Sequence, residues 1–145
     1  MQLFSHDEKA DALRRASLFC TLSRHELVEL AKVTEDLEVD EGKVLAREGE
    51  LGREFFVIVD GEVAVTKGGR ELRRLGAGEF FGEIALIWES PRRTATVAAA
   101  TPLRFFVLTR QAFRSLIDRH PDIEAKVLEA VETRVRATEA ADSAS

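Results

Sequence analysis

The chain has 145 residues, of which 45% are apolar and 32% charged, with a net charge of −5 and one cysteine. That size suits one domain around a single core, and the composition is globular rather than disordered. A negative balance disfavours a surface that grips nucleic acid throughout, and no apolar run reaches membrane-spanning length. A lone Cys20 forms no internal disulfide, and the charged "MQLFSHDEKADALRR" start has no signal-peptide centre, so a cytoplasmic protein is expected.

In chain order, residues 1–33 read as helical. Ser23 and Glu26 form an S-x-x-E capping box before "LVELAKV", which starts a helix near Arg24 and places Leu27, Leu30 and Ala31 on one face. From 34 to 109 the pattern changes. Short runs rich in Val, Ile and Phe ("DLEVD", "KVLAR", "EFFVIVD", "EVAVTK", "ELRRL", "TATVAAA", "RFFVLT") alternate with glycine turns. Many brief strands punctuated in this way predict a sandwich or barrel. Asp60-Gly61 and Gly68-Gly69 each read as hairpin turns between neighbouring strands. After Leu108, Thr109 caps "RQAFRSLIDRH", and Pro121 ends that helix or starts the next. Ile123, Val127, Val131 and Val135 then form an apolar stripe on a C-terminal helix, free to face the barrel or a second subunit. The small polar tail 139–145 is expected to be disordered.

Within the β region, "FFGEIALIWESPRRTATV" (80–97) stands apart. "GEIALIW" suits a short helix, whose N-terminal N–H groups and dipole would favour a phosphate. Gly82 permits close backbone approach, and a following arginine can clamp the same phosphate through two charge-assisted hydrogen bonds. Glu83 would be repelled by phosphate and is better matched to a sugar hydroxyl. Phosphate beside a sugar means a nucleotide.

The pattern "F-G-E-I-A-L … R-T-A-T-V" closely resembles the phosphate-binding cassette of cyclic nucleotide-binding domains, found in protein kinase A regulatory subunits, the catabolite activator protein and cyclic-nucleotide-gated channels. The likeness extends over "LSRHEL", the glycine-rich strands, the cassette and the following helices, and "GREFFVIVDGEVAV" looks like the family's central hairpin. The cassette is specific, whereas the glycine pattern alone is weak. The resemblance implies one α+β domain over residues 1–138: an eight-stranded β-roll or jelly-roll barrel flanked by N-terminal (1–33) and C-terminal (110–138) helices. It also implies that Glu83 binds the ribose 2′-hydroxyl, that Gly82, Ile84 and Ala85 offer backbone contacts, and that Thr94 is the small or hydroxyl residue beside the phosphate arginine. Phe81 and Ala95 complete the ligand-binding set. Loop length differs among family members, so the spacing admits either Arg92 or Arg93. The "R-T-A-T-V" ending selects Arg93, with Ala95 and Val97 pointing inward together.

The implied ligand is cyclic AMP, slightly favoured, or cyclic GMP, kept in play by the Thr94 hydroxyl. No cofactor or metal is expected. Thr133, Arg134 and Arg136 are candidates to meet the base from a lid formed by the C-terminal helix, which also offers a homodimer surface. The output would pass to an unknown protein effector in trans. Plainer readings stand beside these. Glu83 and Arg93 alone would be a salt bridge pinning a loop, and Thr94 a strand threonine. Arg14-Arg15-Ala16-Ser17 matches a basic-directed kinase site, a short pattern that arises readily by chance. His6, His25 and His120 are dispersed, which argues against a metal cupin, and no nucleophile–base set suggests an enzyme. A DNA-binding regulator would need a helix-turn-helix for which few residues remain after the C-terminal helix. The remaining alternative is a cyclic nucleotide-binding fold that has lost its ligand and serves as a protein-interaction domain.

Overall fold

A computed structural model of the chain describes residues 5–52, 54–82 and 92–143. Two helices open it: α1 (His6–Arg14) and α2 (Arg24–Lys32), separated by a short 3-10 turn (Ser17–Phe19). Both helices start with capping boxes, Ser5 with Glu8 and Ser23 with Glu26, which satisfy N-terminal backbone donors reciprocally. Lys9 of α1 is buried and donates from Nζ to the carbonyls of Thr34 (2.8 Å) and Ala31 (3.4 Å), placing a cation on the C-terminal end of α2.

Eight strands follow: β1 (Glu35–Val39), β2 (Val44–Ala46), β3 (Glu54–Asp60), β4 (Val63–Lys67), β5 (Arg70–Leu75), β6 (Phe80–Phe81), β7 (Thr96–Ala99) and β8 (Leu103–Thr109). They form two antiparallel four-stranded sheets, ordered β1-β8-β3-β6 and β2-β7-β4-β5. Gly68 and Gly69, both at positive φ, turn β4 into its partner β5 as the spacing predicts. Asp60-Gly61 behaves differently, because β3 and β4 lie in different sheets and the expected hairpin is instead a corner. Gly61 sits at φ 95°, where an added Cβ would stand 2.4 Å from the Pro102 carbonyl oxygen. The dipeptide supplies the bend, but both faces of β3 are buried, so the chain leaves that sheet for the other.

The alternation along β3 and β8 divides the interior. Phe55, Val57, Phe106 and Leu108 face the helices, while Phe56, Ile58, Phe105 and Val107 face the second sheet. On the helical side lie α3 (Arg110–Arg119), capped by the Thr109 hydroxyl, and α4 (Pro121–Ser143). Ile123, Val127 and Val131 are buried in this core, with Val135 packed against it, so the stripe faces the chain's own interior. The first turns of α4 are tied to the N-terminal segment. Thr21 donates to Asp122 (2.6 Å), a bond that is foremost in lowering the Asp122 pKa, and Lys126 donates from Nζ to the Ser17 carbonyl (3.0 Å). The helix continues beyond residue 138 to Ser143, where a disordered tail was expected. Alanine and glutamate sustain a helix, and no glycine or proline interrupts that stretch.

Candidate functional site

Gly49 and Glu50 grip the backbone of Arg93: the Arg93 N–H donates to the Glu50 carbonyl (2.7 Å), and its own carbonyl accepts from the Gly49 N–H (2.9 Å). Strand-like alternation then sends neighbouring side chains opposite ways. Arg92 is exposed and donates to the Gly49 carbonyl (2.7 Å), whereas Arg93 is 7% exposed and turns into the molecule.

A buried guanidinium needs acceptors. Arg93 donates from Nη1 to the Gly82 carbonyl (3.2 Å) and from Nη2 to the Glu54 carbonyl (2.9 Å). Its Cζ also lies 5.6 Å from the Phe56 ring centre, a cation–π arrangement. Phe56 in turn stacks on Phe81 (4.5 Å) and leans on Phe105 (5.9 Å). Two glycines make room for the arginine. An added Cβ at Gly52 would fall 1.8 Å from Arg93 Nε, and one at Gly82 would fall 2.9 Å from Nη1 and 2.7 Å from the Glu54 oxygen. Gly82 also adopts φ 96°, a region open to glycine at little cost.

Arg93 opens onto a cleft between the second sheet and the C-terminal helix. Phe81, Gly82, Thr94 and Ala95 line it with Arg93. Ala46, Val65, Leu75 and Val97 form an apolar wall, and Arg73 and Arg134 add two more guanidinium groups. Among the described lining residues none is acidic, so the cleft favours an anion with an apolar body. Five of the residues expected from the sequence therefore meet in one place. Glu83, Ile84 and Ala85, with Trp88 and the short helix expected around them, lie outside the described residues.

The three lid candidates separate. Arg134 stands 4.9 Å over the Phe80 ring and lines the cleft. Thr133 is exposed in an adjoining groove, and Arg136 pairs with Glu132 on the helix surface with its side chain 75% exposed. Seven residues along a helix bring Arg134 back to within about 20° of the buried Val127, whereas nine put Arg136 on the opposite side. Sequence reasoning did not single out Arg73, Gly52 or Phe56. Arg73 sits in "ELRRL", where alternation alone does not say which arginine points inward. The β4–β5 register shifts between Val65 and Thr66, which resets the parity. Among the described residues no group of histidine, cysteine, aspartate and glutamate could hold a metal ion, and no helix is long and apolar enough to cross a membrane.

Comparison with known proteins bears on this geometry directly. A model described as the cyclic nucleotide-binding domain matches residues 36–120. The cGMP-dependent protein kinase of Toxoplasma gondii is 32% identical over 111 residues, 77% of this chain and 11% of the kinase. The cyclic nucleotide-gated potassium channel of Rhizobium etli is 40% identical over 106 residues, 73% of this chain and 29% of the channel. Among solved structures, cAMP-bound PfPKA-R superposes with a TM-score of 0.86 at 25% identity, over 94% of this chain and 47% of that one. The chain thus spans less than a third of either curated relative. On the family match and these likenesses together, it belongs to the cyclic nucleotide-binding domain family.

Proposed function

We propose that the domain is a non-catalytic sensor that holds a cyclic purine nucleotide in the Arg93 cleft and reports occupancy through the position of α4. One observation carries this reading. A buried guanidinium, braced by two carbonyl oxygens and an aromatic face, lines an apolar-walled cleft beside Gly82 and Thr94. A cyclic phosphate is a better acceptor than either carbonyl and matches the planar fork of arginine. The ribose and base then lie along Ala46, Val65 and Leu75. Glu83 follows Gly82 directly in sequence, which supports the ribose-hydroxyl role implied by the family resemblance.

Arg73 favours cyclic GMP over cyclic AMP. Guanine presents two acceptors, O6 and N7, to an arginine, whereas adenine places an amino donor at the corresponding edge. A cyclic GMP-dependent kinase among the relatives supports that choice, and a cAMP-bound neighbour keeps cyclic AMP as the comparison ligand. Arg134 serves as the cap from α4, because it lies on both Phe80 and the cleft. Only a ligand that binds one helix position better than another can shift α4, and a cap contact provides that difference. A protein effector, in another chain or another part of a longer protein, reads the shift.

Calorimetric titration with both nucleotides tests this. Arg93→Ala is expected to weaken binding about 100-fold or more, the scale of removing a buried charged partner. Arg92→Ala is expected to stay within about twofold, since an exposed arginine on a carbonyl contributes little. Arg73→Ala is expected to narrow the preference for cyclic GMP. Absence of heat with either nucleotide, in folded and ligand-free protein, would overturn the sensor reading in favour of a protein-interaction domain.

A further inference from the structure

We propose that Ser17 is a phosphorylation site whose phosphate is received by Lys126 of α4 and competes with the nucleotide cleft for Arg134. The effect on the cleft rests on the sensor reading, but the modification and its receptor do not.

The motif Arg14-Arg15-Ala16-Ser17 gains weight from where the fold puts it. Arg14 and Arg15 are exposed, at the third and second positions before an exposed serine. Ala16 is extended (φ −74°, ψ 128°), and the three-residue turn that Ser17 opens has no side-chain cap. Ala16 and Leu18 are buried, so a kinase must lift residues 16–18 from the core. Modification therefore proceeds through a local opening that exposes Ala16 and Leu18 while the rest of the fold stays formed. Ser17 also lines a groove with Phe80, Lys126, Glu129 and Arg134. The Lys126 ammonium already sits 3.0 Å from the Ser17 carbonyl oxygen.

A basophilic serine/threonine kinase with magnesium ATP supplies the chemistry. Ser17 Oγ attacks the γ-phosphorus, the bond from that phosphorus to the β–γ bridging oxygen breaks, ADP leaves, and the hydroxyl proton passes to the carboxylate base of the kinase. The product carries close to two negative charges beside Lys126, against one carboxylate, Glu129, in the groove. The new charge-assisted bonds tie α4 to the N-terminal segment. Arg134 lines both the groove and the cleft, so a dianion in the groove, whose lining includes Phe80, draws its guanidinium away from the cleft and from a bound base.

The experiment incubates the full chain and Ser17→Ala with magnesium ATP and a purified basophilic kinase and locates the phosphate by mass spectrometry. Tm and nucleotide affinity are then measured before and after modification, in wild type and in Lys126→Met, which keeps the apolar stem. The expected result is about one phosphate, on Ser17, and a Tm raised by about 2–4 °C in wild type but not in Lys126→Met. Affinity for cyclic GMP is expected to fall about five- to tenfold, at the low end of usual coupling between sites. An unmodified Ser17 in the folded chain, or shifts of equal size in Lys126→Met, would overturn the proposal. Failure of the unmodified chain to bind nucleotide would count against the sensor reading alone, and the Tm comparison would still decide for or against the Lys126 clamp.

Discussion

The two faces of the β1-β8-β3-β6 sheet are built from the same strands and do different work. On the helical face, Phe55 stacks on Phe113 (4.4 Å) and tilts against Phe80 (5.5 Å), and the four α-helices with the 3-10 turn seal the layer. On the opposite face, Phe56, Phe81 and Phe105 make a smaller aromatic layer, but the position above it is taken by Arg93 and an opening. Side-chain alternation lets one strand serve both layers. The difference teaches that a binding cleft here is a core left one residue short, with a cation over its floor. Adjacent positions on β3 should therefore report on separate properties.

Substitutions can break that separation or sharpen it. Phe113→Ala is expected to have the largest effect, a loss of about 3–5 kcal/mol of stability by chemical denaturation, since a large side chain leaves a sealed core. Gly61→Ala comes next, at about 2 kcal/mol or more. It forces a positive φ on alanine and a Cβ onto the rigid Pro102 carbonyl. Gly52→Ala makes the informative contrast. The three atoms nearest its Cβ all belong to the Arg93 side chain, which can swing aside. Nucleotide affinity is expected to fall about tenfold or more while denaturation changes less than in Gly61→Ala. A Gly52→Ala protein that loses stability without losing affinity would erase the proposed division between the two faces.

The smallest effect concerns acid. The Glu26 pKa is lowered, first by the hydrogen bond from the Ser23 backbone and then by the Ser23 side chain. A depressed carboxylate contributes stability above its ordinary range, about 4.3 for glutamate, and that contribution is lost as pH falls through the lower folded value. Glu26→Gln keeps the capping geometry without the titrating group. Wild type is expected to be the more heat-stable near neutrality, with the gap in Tm closing toward pH 3.

Much of this was legible in the sequence because the signals were local. The Ser23–Glu26 box, the Gly68-Gly69 turn, the Thr109 cap and the four-residue stripe on α4 each need only neighbours within a turn or two. The fold class followed from the strand rhythm together with the cassette. Asp60-Gly61 misled because a turn signal fixes a bend, while the sheet that receives the next strand depends on burial of both faces of β3. At the cleft, Arg93 and Gly82 were readable from the cassette, but Arg73 needed a register that contains a bulge, and Gly52 needed the path of an arginine 41 positions away. Long-range packing of this kind leaves no trace in a short window.

Because β3 belongs to both layers, neither can come apart while the other stays formed. Its central amides, Phe56 to Ile58, are bonded between β8 and β6 and are expected to exchange with solvent only when the entire molecule opens. A nucleotide bound at the far side of the sheet would then slow their exchange by the full factor set by its concentration relative to Kd. Three backbone protons with no ligand contact of their own would thus serve as a gauge of occupancy.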